Sequence, residues 1–442
     1  MTKPSWSSDL RIYAEPRVWI IFAFGIMSGF PWVLIGSVLS AWMQESGVSR
    51  SDIGLFAAVF AAYSINFLWS PLVERLKLPL LYRLFGQRRS WLVLCTGMIM
   101  LLTALLSQID LAGQLSTVAL IAVLIAVFSA TQDIAIDAFR IESFAAHEAR
   151  LQSAGAAMAT AGWWTGYSGL GAIPFLLVNG TSWQWQGAYL FLSGLLAVQL
   201  IIVLLIREPT RYSAVQMQFS RWQQWFKASA VEPIAEFFKR SGWKLAVGML
   251  AFIFLFKIGE AFLGRMSIVF YKEIGFSNED IGLYPKLVTW WVTIIFAMLG
   301  SFVNLRMGIV RGLLTGGVAM AASNLMFAWI AVTGPSTQLL LATVLVDGFT
   351  SAWSTVAFVA FISMLCSRTF TATQYALLAS LGNLGRTLLS SYSGIMVDWL
   401  EGDWQTFFII TALMVIPSLL ILFALRKPLT RLERAYQDDL NR

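Results

Sequence analysis

Long apolar segments separated by short polar connections run along almost the whole chain. A helix that crosses a bilayer needs about 20 mostly apolar residues, and open strands would leave backbone polar groups unpaired in hydrocarbon. The pattern therefore predicts an all-α membrane protein with twelve transmembrane helices, called spans 1 to 12 below. Their expected ranges are 18–43, 52–73, 90–109, 116–139, 152–178, 187–206, 243–270, 280–303, 312–332, 337–366, 372–397 and 405–425.

The composition agrees with residence in a lipid bilayer. Of the 442 residues, 58% are hydrophobic and only 12% are charged, whereas soluble domains carry about 25% charged residues. The net charge of +7 could indicate nucleic-acid binding in a soluble protein. No basic face interleaved with aromatic residues accompanies it, so no nucleic-acid partner is expected.

The sequence contains few residues that suggest catalysis. No phosphate-binding loop is present, and the single histidine, His147, falls in a connection. Cys95 and Cys366 lie within apolar runs and are expected to pack in the core. We therefore expect no enzymatic activity, no metal and no cofactor.

The basic residues indicate how the chain is oriented. With a cytoplasmic N-terminus, only Arg50 and Lys272 of the 31 Lys and Arg residues lie in outer connections. Four more lie deep within spans, and all the others lie on the inner side, including Lys244 at the inner end of span 7. This asymmetry predicts cytoplasmic termini and an even number of spans.

An internal repeat relates the two parts of the chain. Residues 45–56 and 273–284 share seven of twelve positions, and the offset between the two segments is close to half the chain length. Both copies follow the first span of their half, so the halves are predicted to be parallel six-helix repeats, as in major facilitator transporters. Ser49 or Ser51 is expected to cap span 2, and Ser277 to cap span 8.

The repeat predicts a division into an N-terminal half at 1–206, a central cytoplasmic loop at 207–242 and a C-terminal half with its tail at 243–442. The loop contains a possible amphipathic stretch from Trp222 to Phe238. An interfacial helix that tethers the halves is one interpretation, and docking of a partner is the other.

Ionisable residues within spans are costly unless paired or hydrated, so they are the best functional signal. Asp133 and Asp137 in span 4 are four residues apart and share a helix face, next to Gln132. Two carboxylates so placed can share a proton. The alternative for Asp137 is a surface ion pair with Arg140 or with an arginine of a loop.

The second half holds more buried charge. Lys257 and Glu260 in span 7 are three residues apart and can form a pair. This pair could be purely structural, or protonation of Glu260 could release Lys257 to bind an anion. Lys286, Asp347 and Arg386 are expected at comparable depth in spans 8, 10 and 11, which predicts a charge-lined aqueous cavity.

Arg386 has a planar fork of donors suited to a carboxylate or phosphate, although it could instead pair with Asp347. Tryptophans could line a sugar site, although most tryptophans in membrane proteins serve packing or the interface. The candidates are Trp163, Trp164, Trp290, Trp291 and Trp353.

Several short motifs occur in an order that resembles the AmpG muropeptide permeases, over about residues 11–425. They are Gly29-Phe-Pro31 with Ala41-Trp-Met43, Phe67-Leu-Trp-Ser-Pro71, Gln132-Asp-Ile134 with Asp137-Ala138, Lys257-Ile-Gly-Glu-Ala-Phe262, Ala357-Phe-Val-Ala360, and Ala372-Thr-Gln-Tyr-Ala-Leu-Leu378 with Gly385-Arg386.

The resemblance implies a major facilitator fold of two six-helix halves in a bacterial inner membrane. It implies proton-driven import of anhydromuropeptides for cell-wall recycling, which in some bacteria leads to induction of a β-lactamase. The implied partners are an anionic glycopeptide, protons and the lipid bilayer, and we expect a monomer. An importer of another bulky anion, such as a siderophore or an acyl-coenzyme A, is the alternative, and a membrane sensor or transferase is a third.

The candidate site residues divide into two groups, and all of them except Trp353 are placed by the resemblance as well. Those expected to bind substrate are Gln132, Lys257, Lys286, Trp353, Gln374 and Arg386. Those expected to carry protons are Asp133, Asp137, Glu260 and Asp347. Glu260 stands where the family usually has Asp, and Asp347 stands where Glu is expected.

Overall fold

The structure is a computed structural model, which describes residues 13–111, 113–144, 148–179, 183–208, 231–367 and 371–440. Eight helical segments within these ranges are long and apolar enough to cross a membrane. They are Pro16–Glu45, Gln87–Leu106, Leu115–Glu142, Trp185–Leu205, Trp243–Ile274, Ile309–Thr333, Thr337–Leu365 and Trp404–Ala435. They coincide with predicted spans 1, 3, 4, 6, 7, 9, 10 and 12.

The other four predicted spans are also helical, but each is divided into shorter segments. Spans 1, 7 and 12 contain brief interruptions as well, at Val33–Ser37, 256–257 and 414–415. Span 2 comprises Arg50–Leu55, Phe56–Phe60, Ala61–Ile65, Asn66–Leu68 and Ser70–Arg75, and span 5 comprises Ala149–Trp164, Thr165–Gly169, Leu170–Ala172 and Ile173–Val178. Span 8 comprises Asn278–Ile281, Gly282–Val288 and Thr289–Met307, and span 11 comprises Thr371–Ser390 and Ser393–Trp399.

The interruptions are short segments of 3₁₀ or π geometry in spans 2, 5 and 8 and a turn at 391–392 in span 11. Because they are not open loops, the backbone groups remain largely bonded within the helix. Spans 2, 5, 8 and 11 hold corresponding places in the two predicted six-helix halves. Apart from these interruptions, the four spans are helical in the described ranges, as the sequence predicts. The division at 207–242 stays a prediction.

Two compact units arise from the contacts within the chain, and each contains a segment from the other predicted half. Unit 1 comprises Met1–Val48, Ile65–Gln216 and Ser277–Trp290. Unit 2 comprises Ser49–Ser64, Met217–Phe276 and Trp291–Arg442. The start of span 2 thus packs within unit 2, and the start of span 8 packs within unit 1.

In unit 1, spans 1 and 5 approach each other through glycines spaced four residues apart. A Cβ on Gly29 would lie 2.1 Å from the carbonyl oxygen of Trp163, and one on Gly166 would lie 2.3 Å from that of Ile26. Small residues at this spacing let helix backbones touch, which favours association in lipid, where the hydrophobic effect contributes little.

In unit 2, a cluster of aromatic rings fills the space between spans 7 and 10. Phe252 and Phe256 lie 4.9 Å apart, and Phe358 stacks on Phe256 at 5.4 Å. The short helix Glu232–Ser241 packs Phe237 into this core. It is the described part of the predicted amphipathic stretch, whose other residues, 222–230, lie outside the described ranges.

Carboxylates close the N-terminal ends of spans 3 and 9 in the same way. Glu208 accepts hydrogen bonds from the backbone amides of Arg88 and Arg89 at 2.8 and 3.0 Å. Glu433 accepts one from Ile309 at 2.5 Å. A negative charge beside unsatisfied amide groups stabilises a helix start, so each half uses the same device.

The predicted caps of spans 2 and 8 are confirmed. The Ser49 hydroxyl accepts from the amide of Asp52 at 3.1 Å, and that of Ser277 accepts from Asp280 at 3.0 Å. The Asp280 carboxylate accepts in turn from the Ser277 amide, which completes a capping box.

Candidate functional site

Lys257 lies where span 7 breaks between the helices Trp243–Leu255 and Ile258–Ile274. Only 3% of Lys257 is exposed. Its ammonium donates to Glu260, which belongs to the first turn of the second helix. The predicted pair is therefore formed, and the helix start adds a favourable field for the carboxylate.

Serines of span 10 complete the polar surroundings of this pair. Lys257 donates to the hydroxyl oxygen of Ser354 at 2.7 Å, and Ser351 donates to Glu260 at 2.6 Å. Because both ions have further hydrogen-bond partners, the pair can exist inside the membrane without water at every face.

Asp347 lies on the same helix, four residues before Ser351. The Ser323 hydroxyl donates to it at 2.9 Å, and Asp347 interacts electrostatically with both Glu260 and Lys257. The structure thus brings three of the predicted charges into one cluster within unit 2.

Arg386 of span 11 acts on the same cluster, since it interacts electrostatically with Glu260 and Lys257. Its side chain is exposed. Within the described ranges Arg386 forms no ion pair with Asp347, whose hydrogen-bond partner is Ser323. A planar cation that is accessible and not held by a carboxylate is suited to bind an anion.

Lys286 belongs to unit 1 and has different surroundings. It is 3% exposed, donates to the Ser37 hydroxyl at 2.7 Å and lies 4.2 Å from the centre of the Tyr167 ring. Among described residues no carboxylate forms an ion pair with it. A ring face partly compensates a buried cation, and Trp163 stacks on Tyr167 at 5.0 Å.

Span 4 carries Gln132, which is predicted to bind substrate, and Asp133 and Asp137, which are predicted to carry protons. Gln132 is buried and donates to Thr96 at 2.7 Å. The side chains of Asp133 and Ser28 are hydrogen-bonded to each other. The Oδ1 atom of Asp133 is buried and has no hydrogen-bond partner in the described part of the chain. Asp137 is exposed and pairs with Arg140 at 3.0 Å, as its alternative interpretation predicts.

Gln374 and Trp353, both predicted to bind substrate, lie outside the charged cluster and contact packing and backbone groups. The Gln374 amide donates to the carbonyl oxygen of Pro233 at 2.9 Å and to Glu236 at 2.6 Å, so it fastens the helix Glu232–Ser241. Trp353 donates to Asn304 at 2.8 Å and covers Gly300. These contacts are those of packing residues, and a role in substrate binding stays a prediction for both.

Sequence reasoning missed the serines that hold the charges. Asp347, Ser351 and Ser354 are spaced four and three residues apart, which places them on one helix face. That spacing in an apolar helix is the signal that could have found them. Among the described residues, no group of three or more His, Cys, Asp or Glu could hold a metal ion.

Solved structures share this fold over nearly the whole chain. A D-xylose–proton symporter matches with a TM-score of 0.67 at 14% identity, covering 94% of this chain and 97% of that one. A peptide transporter crystallised with sulfate matches with a TM-score of 0.71 at 11% identity, covering 94% and 95%. At such identities the likeness concerns the fold.

Sequence comparisons define the class. The Major Facilitator Superfamily profile matches residues 258–439, and the fold is that of a transporter of this superfamily. The chain is 32% identical over 417 residues to the putative transporter AmpG 4 of Rickettsia conorii, covering 94% of this chain and 98% of that one. It is also 32% identical over 425 residues to the anhydromuropeptide permease of Escherichia coli, covering 96% and 82%.

This chain belongs to the AmpG family of muropeptide permeases. The predicted family and fold class are confirmed.

Proposed function

We propose that this transporter imports anhydromuropeptides together with protons across the bacterial inner membrane, as a monomer with both termini in the cytoplasm. The name of the Escherichia coli relative supports the cargo. The concentration of Lys and Arg on one side of the predicted spans supports the orientation. Recovery of cell-wall fragments, and β-lactamase induction where it occurs, would follow from this import.

The charged cluster in unit 2 carries the proposal. An anhydromuropeptide joins sugar rings to a peptide with free carboxylates. Arg386, exposed and within electrostatic range of Glu260, is suited to bind one of these carboxylates. Unit 1 has a candidate set of its own, in which Lys286 is a cation and the stacked rings of Trp163 and Tyr167 have apolar faces suited to sugars.

Proton coupling is assigned to the Lys257–Glu260 pair. When Glu260 takes up a proton, it loses its charge and Lys257 loses its counter-ion. Lys257 then binds an anionic cargo more strongly, and departure of the cargo restores the pair and releases the proton. Binding and protonation therefore favour each other. Asp133 is a second proton carrier, because its buried Oδ1 atom has no partner among the described residues and can accept a proton without breaking one of their hydrogen bonds.

Proteoliposomes test the proposal. The purified chain should accumulate radiolabelled anhydromuropeptide when the lumen is more alkaline than the outside, and a protonophore should abolish the accumulation. Glu260→Gln should retain exchange of cargo across the membrane but lose accumulation, since the side chain no longer titrates. Asp110→Asn, which changes an exposed carboxylate, is the matched control and should accumulate cargo normally. Uptake that ignores the protonophore would refute coupling.

Another bulky anion is the second candidate, because Arg386 would suit a phosphate as well as a carboxylate. Unlabelled acyl-coenzyme A and a carboxylate siderophore can be added as competitors in the same assay. Stronger competition by either one than by unlabelled anhydromuropeptide would replace the proposed cargo.

A further inference from the structure

Arg50 joins three segments of unit 2. Its guanidinium donates to both carboxylate oxygens of Glu273 at 2.8 and 2.9 Å, and to Asp398 at 3.3 Å. Ser51 adds its backbone amide and hydroxyl to Asp398 at 2.9 and 2.5 Å. The start of span 2 is thereby tied to the ends of spans 7 and 11, which belong to the other sequence repeat.

The backbones beneath these polar contacts touch directly. A Cβ on Gly54 would lie 2.9 Å from the carbonyl oxygen of Ser391, and one on Gly394 would lie 1.7 Å from that of Arg50. There is no room for water or a side chain along this contact. The start of span 2 must therefore leave span 11 as a unit if this contact opens.

Unit 1 contains contacts between the residues that correspond, by the internal repeat, to those of the Arg50 contacts in unit 2. In the alignment of the two repeats Glu45 corresponds to Glu273 and Arg50 to Asn278, and Asn278 donates to Glu45 at 3.1 Å. Tryptophans at the starts of spans 6 and 12 bind the two carboxylates, because Trp185 donates to Glu45 and Trp404 donates to Glu273.

The correspondence extends to the fifth and eleventh spans. Asn179 precedes Trp185 by as many positions as Asp398 precedes Trp404, so these two residues also correspond. Asn179 donates to Glu279 at 3.2 Å, and Glu279 is the repeat partner of Ser51. Each unit thus contains one set of such contacts, which we call a clasp. The clasp of unit 2 consists of Arg50, Glu273 and Asp398. The clasp of unit 1 consists of the Asn278–Glu45 and Asn179–Glu279 pairs.

We propose that Arg50 is an ionic latch, which holds the start of span 2 against the ends of spans 7 and 11 on the side of the membrane predicted to be outer. In each clasp a segment of one repeat holds spans of the other, so these segments can separate on that side only when the clasp of their own unit opens. Alternating access requires such contacts to form and break in every cycle. The proposal depends on transport by the family and not on the identity of the cargo.

The two clasps differ in strength. The Arg50 clasp has a two-pronged contact between opposite charges, whereas the Asn278 clasp uses amide donors, which form weaker hydrogen bonds. Arg50 precedes the expected range of span 2. Its hydrogen bonds to Glu273 raise the pKa of its guanidinium above the ordinary value, so Arg50 stays charged. About a third of the Arg50 side chain is exposed (30%), which keeps the interaction moderate and sensitive to salt.

Cysteine accessibility tests the latch. In a background with Cys95→Ala and Cys366→Ala, Ser391→Cys places a thiol under Gly54, where Ser391 is 4% exposed. The full-length chain in detergent is mixed with a hydrophilic maleimide, and the rate of modification reports how often the contact opens. Size-exclusion profiles and melting curves confirm that each variant is folded.

Arg50→Gln and Glu273→Gln should each raise the rate about five- to tenfold, and the double variant should be no faster than the quicker single variant, because both remove one interaction. Arg50→Lys retains the positive charge but loses the two parallel hydrogen bonds of the guanidinium, so its modification rate should be intermediate. Asn278→Ala should raise the rate about twofold. Arg83→Gln, an exposed arginine elsewhere, should leave the rate unchanged.

Salt gives an independent measurement. High NaCl should speed modification of the parent but not of Arg50→Gln, since only the parent has an ion pair to screen. Equal rates for Arg50→Gln and the parent, or single effects that multiply in the double variant, would overturn the latch. Failure of anhydromuropeptide uptake would leave these rates unaffected, so the two proposals can fail separately.

Discussion

Replacing Gly29 by alanine should destabilise the protein, because spans 1 and 5 touch there through their backbones. The added Cβ would lie 2.1 Å from the carbonyl oxygen of Trp163, whereas ordinary contact begins at 3.4 Å. The two helices must therefore separate by about 1 Å. Overpacking of this kind costs about 1–3 kcal/mol.

Gly97→Ala in span 3 is the matched control. A Cβ at this position would meet nothing within 4 Å, and alanine favours a helix over glycine by up to about 1 kcal/mol. The same chemical change should therefore stabilise the protein at Gly97 and destabilise it at Gly29.

The measurement is thermal unfolding of the purified chain in detergent, followed by the fluorescence of its 19 tryptophans. An unfolding entropy of about 2.1 cal/mol/K per residue converts about 1–3 kcal/mol into a fall in Tm of a few degrees for Gly29→Ala, at a fixed scan rate. If both variants melt at the same temperature, the backbone contact between spans 1 and 5 contributes nothing and the reasoning is wrong.

Three further predictions concern charged groups. Lys257→Met should cost about 2–3 kcal/mol, because it leaves Glu260 buried without its cation, and adding Glu260→Gln should restore most of the loss in the same melting assay. Glu433→Ala should cost about 1–2 kcal/mol by uncapping span 9, with faster amide hydrogen exchange at Ile309 and no change at the start of span 3. Hydrogen bonds from Thr406 lower the pKa of Asp403. Its carboxylate therefore stabilises the fold above its ordinary pKa, so the difference in Tm between the parent and Asp403→Ala should be full at pH 7 and shrink as the pH falls below about 4.

The sequence was sufficient for the fold because transmembrane helices are recognisable from apolar length. It could not predict that spans 2, 5, 8 and 11 are interrupted, since local turns such as the π and 3₁₀ segments change the hydrogen-bond pattern without changing the composition. Nor could it predict that the start of span 2 packs within unit 2, because that depends on contacts between distant glycines such as Gly54 and Gly394.

The site was partly predictable for a similar reason. Residues three or four apart on one helix are neighbours by geometry, which identified Lys257 with Glu260 and Asp137 with Arg140. Contacts between helices were less accessible to sequence reasoning. Asp347 binds Ser323 rather than Arg386, and Gln374 faces the helix Glu232–Ser241. The direction in which each side chain points depends on how its helix is rotated about its own axis. That rotation is fixed by packing against other helices, which the sequence of one span does not specify.

The two repeats share a packing geometry around the proposed site. A Cβ on Gly166 would lie 2.3 Å from the carbonyl oxygen of Ile26, and one on Gly385 would lie 2.6 Å from that of Phe254. Ile26 and Phe254 are separated by the same offset as Glu45 and Glu273, and the two glycines by the same offset as Trp185 and Trp404. Span 5 thus meets span 1 as span 11 meets span 7.

At this shared contact the chemistry of the two halves differs. Arg386 corresponds to Tyr167, directly after the matching glycines, and Lys257 corresponds to Gly29. In the first half, Gly29 and Tyr167 lie at the contact between spans 1 and 5. In the second half, the cations Lys257 and Arg386 lie at the matching positions of spans 7 and 11. Because the same helix contact forms without charge in the first half, packing alone does not require Lys257 or Arg386. Lys257 is buried, whereas Arg386 is exposed within a predicted span. A cation inside a span is costly unless it is paired or hydrated, so the presence of both where the fold can do without them supports the roles proposed for them in binding the cargo and coupling the proton.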